Sequence, residues 1–71
     1  MTFDLSKLKG LIREKNMTQE DIAKIIGIST ATFNLKINGN AYFSQNEIFS
    51  ICEALKIEDS EYKEYFFTLK V

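Results

Sequence analysis

With 71 residues, 45% of them hydrophobic, and a net charge of −1, the sequence describes a single folded domain over residues 1–71 and argues against disorder. One cysteine, Cys52, and no histidine leave no material for an internal disulfide, a structural zinc site or a Cys-His or Ser-His catalytic pair. No apolar run approaches the roughly 20 residues of a bilayer span, and Asp4, Lys7 and Lys9 break up the stretch where a secretory leader would be apolar, so a cytoplasmic protein is expected.

Proline is absent and glycine occurs only at positions 10, 27 and 39, which favours helices over tight hairpins. The first helix is predicted from about Leu5 to Lys15, with Leu5, Leu8, Leu11 and Ile12 at helical spacing and Asp4 as N-cap. Gly10 lies inside it at a cost of about 1 kcal/mol relative to alanine. Either that cost is tolerated or a neighbouring helix approaches closely there. Thr18 and Asp21 form a loose capping box for a second helix, whose buried face is read as Ile22, Ala23, Ile25 and Ile26 and whose end is Gly27. Ser29 caps a third helix anchored by Phe33 and Ile37 and closed by Asn38, Gly39 and Asn40. Gly27 and Ile28 alone separate the second helix from that cap, too few residues for a hairpin of parallel axes, so the two helices are expected to cross steeply as a helix-turn-helix.

After Tyr42 and Phe43, Ser44 and Glu47 make a second capping box. It opens a fourth helix with Ile48, Ile51, Cys52 and Leu55 on one face, Cys52 serving as a small hydrophobe. A fifth helix is predicted from Asp59 or Ser60 to the end of the chain, with Tyr62, Tyr65, Phe66 and Leu69 inward and Glu61 in its acidic first turn. Charge divides along the chain: residues 1–46 carry six cations against four anions, and residues 47–71 carry three against six.

Residues 18–39, TQEDIAKIIGISTATFNLKING, resemble the helix-turn-helix of the Cro and lambda-repressor family. Counted from Gln19, that family's pattern has Gln first, Ala fifth, Gly ninth and a bulky anchor fifteenth, met here by Gln19, Ala23, Gly27 and Phe33. The closing KING is similar to the Lys-Leu-Asn-Gly of a phage subgroup. The resemblance implies an all-α, compact five-helix lambda-repressor-like domain, with the third helix as the functional surface. It implies that Ser29, Thr30, Ala31, Asn34, Leu35 and Asn38 face outward. Ser29, Thr30 and Asn34 would hydrogen-bond to bases or phosphates, and Ala31 and Leu35 would pack on thymine methyls. Gln19, with the amide end of the second helix, and Lys36 and Asn40 would meet backbone phosphates. Two places depart from the family pattern. Lys36 stands where an apolar residue is usual and is read as partly exposed, and Leu35 stands where a long polar or basic reader is common.

Two functions fit these residues. One is a Cro-like phage transcription regulator that binds double-stranded operator DNA as a homodimer over half-sites about one helical turn apart. Phe49, Tyr65 and Phe67 then either supply the pairing surface or fill the core beneath the fifth helix. The alternative is an antirepressor that binds a partner phage repressor through the same surface and blocks that repressor's DNA binding. The acidic balance, the single charge of the third helix and the outward Leu35 point this way. No carboxylate, serine, tyrosine or lysine pair is marked out by spacing, so no enzyme, cofactor, metal or small-molecule substrate is expected.

Overall fold

Four of the five helices are closed at both ends by hydrogen bonds made within a few residues of those ends. The computed structural model describes residues 3–70. It contains α1 (Ser6–Glu14), α2 (Gln19–Ile26), α3 (Thr30–Ile37), α4 (Gln45–Leu55) and the short α5 (Tyr62–Phe66). At the starts, Thr18 Oγ1 accepts the Asp21 amide while the Asp21 carboxylate accepts the Thr18 amide, and Ser44 and Glu47 repeat the exchange for α4. Ser29 Oγ accepts the Thr32 amide for α3. Helix α1 starts one residue later than predicted. Its N-cap is Leu5, and Asp4 Oδ1 still accepts a first-turn amide, that of Ser6, at 2.9 Å.

The ends share one device. Asn16, Gly27, Gly39 and Lys56 all take positive φ just beyond α1, α2, α3 and α4. The amide of each following residue then reaches back five positions, Met17 to Ile12, Ile28 to Ala23, Asn40 to Leu35 and Ile57 to Cys52, at 2.8–3.1 Å. This closure satisfies carbonyls that a helix end leaves without partners. Gly10 is tolerated within α1 and does not mark a close approach, because a methyl added there would meet nothing within 4 Å.

Leu8 and Ile12 of α1, Ile22 and Ala23 of α2, Phe33 and Ile37 of α3, Ile51 and Leu55 of α4 and Phe66 of α5 form one buried core. Phe43, from the loop before α4, bridges Phe33 and Phe66 with ring centroids 5.6 and 5.8 Å away. Helix α2 packs on α3 and α4, and α1 packs on α5. Cys52 is half-buried, as a small hydrophobe on this face should be, and burial pushes its thiol pKa up. Among the described residues no buried side-chain nitrogen or oxygen lacks a hydrogen-bond partner.

Two expectations need correction. The fifth helix stops at Phe66 and does not run to the chain end. Beyond it the chain turns extended: the Asp4 amide donates to the Thr68 carbonyl at 2.7 Å, and Phe3 forms an isolated antiparallel bridge with Leu69. Leu69 is therefore exposed and outside the core. Aromatic and β-branched residues from Tyr65 to Thr68 favour extended backbone, and a partner segment stands ready to pair with it. The second correction concerns Ile25, which was assigned to the buried face of α2 and is 51% exposed. At 100° per residue it sits on the opposite side of Ile22 from Ala23 and Ile26, so it falls off the edge of the inward face.

Candidate functional site

The α2–α3 pair is held by residues chosen for fit. Ala23, 1% exposed, lets the two helices touch, and Phe33, with no exposed surface, ties α3 to the core. Gly27 turns the chain at φ +79°, a conformation that costs most side chains roughly 1 kcal/mol or more. Ile28 and the Ser29 cap then lead directly into α3.

With its inward side fixed by Phe33 and Ile37, α3 presents Ser29, Thr30, Ala31, Asn34, Leu35 and Asn38 to solvent, the set that the family resemblance implies. Ala31, Asn34, Leu35 and Asn38 are spaced as a single stripe along the helix. Leu35 is 53% exposed at the middle of this stripe, the one large aliphatic on it. Ile25 adds a second exposed aliphatic from α2 that sequence reasoning missed; its place on the helical wheel was the available signal. Asn40 is exposed beyond the end of α3, and Gln19 is half-buried at the start of α2.

Some of the polar and charged residues on and beside this face are engaged within the protein. Ser29 and Thr32 hydrogen-bond to each other through their hydroxyls at 2.9 Å. Asn38 Oδ1 accepts from Lys9 Nζ at 2.7 Å, which ties the end of α3 to α1. At the start of α2 the Asp21 amide and carboxylate are both used in the capping box, with Glu20 exposed beside them. Hydrogen bonds from Thr18 hold the Asp21 carboxyl below the usual carboxylate range. Two carboxylates therefore stand where the Cro-like reading places a phosphate.

Lys36 is placed differently from its expected role. It is the only charged residue between Lys24 and Glu47. Its ammonium lies 2.6 and 2.9 Å from the two carboxylate oxygens of Glu47, and the side chains of the pair are only 16% and 14% exposed. Glu47 also caps α4, accepting the Ser44 amide on Oε1 at 2.8 Å. Burial alone would raise the Glu47 pKa, but its hydrogen bonds with Lys36 and Ser44 outweigh that and hold the carboxyl below its ordinary value. Lys36 is thus turned toward α4 and neutralised there, not held out toward a phosphate. No spacing rule foretold this, because the partner is eleven residues away on another helix.

The aromatics divide. Tyr65 packs on the core beneath Lys7, whose ammonium lies 4.9 Å from the ring centroid. Phe49 is exposed on α4, and Phe67 is partly exposed, edge-on to Phe3 at 5.4 Å and to Tyr62 at 6.1 Å. Among the described residues no helix is long and apolar enough to cross a membrane, and no group of three or more acidic or cysteine side chains is placed to hold a metal.

These features define a small all-α protein that offers a weakly charged helical face with a half-exposed leucine at its middle. The chain belongs to the DUF739 family, described as a protein of unknown function, whose model matches residues 1–69. It is similar to the solved solution structure of the modulator of repression of the temperate bacteriophage TP901-1 from Lactococcus lactis. That likeness has 35% identity and a TM-score of 0.77, and covers 100% of this chain and 96% of the other. No curated protein matches the chain.

Proposed function

We propose that this protein modulates repression in a phage-type genetic switch by docking the outer face of α3 on a partner repressor. The observation that carries the reading is Leu35, half-exposed at the centre of a helical face whose single cation is already paired within the protein. A polyanion is held by free Lys and Arg, whereas a protein interface is built around desolvated apolar anchors with polar groups at the rim. The likeness over its whole length to a phage modulator of repression supports the same reading. So does the resemblance of residues 18–39 to the helix-turn-helix of phage repressors. Operator binding in the Cro manner has less support on this geometry, because Lys36 is engaged and Glu20 and Asp21 flank the start of α2.

The test is a titration of the purified protein against the repressor of the same switch, with operator DNA as competitor. The wild type should form a stoichiometric complex that releases the repressor from its operator. Leu35→Arg, checked for an unchanged helical spectrum, should weaken that complex by about tenfold or more, as loss of an interface anchor does, while leaving DNA affinity equal or raised. Repressor binding by Leu35→Arg equal to wild type, or tight salt-sensitive operator binding by the protein alone as a dimer, would overturn the reading in favour of Cro-like action.

A further inference from the structure

We infer that Glu47, a residue of α4 outside the presented face, is a specificity determinant that closes the α3 face to nucleic acid by holding Lys36. The inference rests on the α3 face being the binding face. Three observations carry it.

First, Lys36 is the sole cation of α3, and no other charge occurs from Ile25 to Asn46, so the fate of this one ammonium decides whether the helix has any attraction for phosphate. Second, both carboxylate oxygens of Glu47 lie within hydrogen-bond distance of Lys36 Nζ, and the pair is mostly covered. An exposed ion pair exchanges readily with solvent and with a passing phosphate. A covered one does not, because separating the pair strands a charge in a poorly hydrated place. Third, Glu47 is itself fixed. Its Oε1 accepts the Ser44 amide, and its own amide donates to Ser44 Oγ at 3.1 Å, so the carboxylate cannot follow Lys36 if the lysine swings outward. Lys36 follows Leu35 directly in α3, and its four-carbon stem is flexible enough to turn outward once released. The same helix thus offers an aliphatic anchor while its charge stays internal.

The experiment compares Glu47→Gln, Glu53→Gln and the double variant Lys36→Met/Glu47→Gln with wild type. The readout is affinity for a short duplex of arbitrary sequence across a salt series. Glutamine keeps the capping geometry, and Glu53, exposed on α4, controls for overall charge. Glu47→Gln should gain affinity at low salt and add about 0.9 to the log–log salt slope, the signature of one new phosphate contact. That corresponds to about a threefold larger loss of affinity between roughly 50 and 200 mM salt. Glu53→Gln should show a clearly smaller gain, and the double variant none. Equal gains in Glu47→Gln and Glu53→Gln, or a gain that persists without Lys36, would overturn the inference. A second measurement needs no substitution at Glu47: in the wild type an amine-acylating reagent should modify Lys36 several-fold more slowly than exposed Lys24, and equal rates would count against it. The repressor titration fails or succeeds independently of these readouts, so the two ideas can be rejected separately.

Discussion

The stretch from Thr18 to Leu55 and the paired chain ends are stabilised in different ways. In the first, Thr18, Ser29 and Ser44 cap α2, α3 and α4 from within three residues, and Gly27, Gly39 and Lys56 reverse the chain just past each end. Around the chain ends the contacts are long-range. Lys7 pairs with Glu64, 57 residues away, the Asp4 amide bonds to the Thr68 carbonyl, and Phe3 bridges Leu69. Helix α5 has no side-chain N-cap, only five residues, and Phe66 as its one fully buried side chain. A helix that short has almost no stability of its own. The presented face therefore stands on a scaffold specified locally, whereas the clasp made by α5 and the Phe3–Leu69 and Asp4–Thr68 contacts exists only once the rest has folded.

The largest expected effect tests whether Phe66 alone anchors the clasp. Phe66→Ala removes a ring that is 3% exposed and touches Phe43, and should cost about 3–5 kcal/mol in urea unfolding, enough to unfold much of so small a domain. A loss below about 1 kcal/mol would mean that the polar and edge contacts hold the ends unaided. A smaller effect tests the other region. Thr18→Ala removes the α2 cap and should lower stability by about 1 kcal/mol without changing the α2–α3 face. The smallest separates exposed from covered ion pairs. Lys7 and Glu64 are 51% and 61% exposed, so Lys7→Met should leave the urea midpoint nearly unchanged. A large loss there would erase the contrast between it and the Lys36–Glu47 pair.

This contrast also explains what could be read in advance. Capping and reversal are short-range chemistry, so Thr18, Gly27, Ser29 and Ser44 place α2, α3 and the start of α4 correctly, and Phe33 and Ala23 follow as inward residues. The outward stripe of α3 came with them. The end of α5 was misread because Tyr62, Tyr65, Phe66 and Leu69 have acceptable helical spacing, while the segment that draws the chain into extended pairing lies at Phe3. The pairing of Lys36 was illegible for the same reason: its carboxylate comes from another helix. Ile25 is a local error, since its offset from Ile22 was available from the periodicity. Lys56 in a left-handed conformation had no such signal, because lysine is an uncommon residue there.

The double use of Glu47 bears on how such a chain drifts among its descendants. If Lys36 is lost first, the fixed Glu47 carboxylate keeps the Ser44 amide but is left mostly covered without its cation. If Glu47 is lost first, the flexible lysine can turn outward to water, while the head of α4 loses half of its capping box. Each order of loss therefore carries its own cost. A chain keeping lysine at position 36 without an acid at position 47 would hold that ammonium outward, where nucleic acid can serve as its counterion.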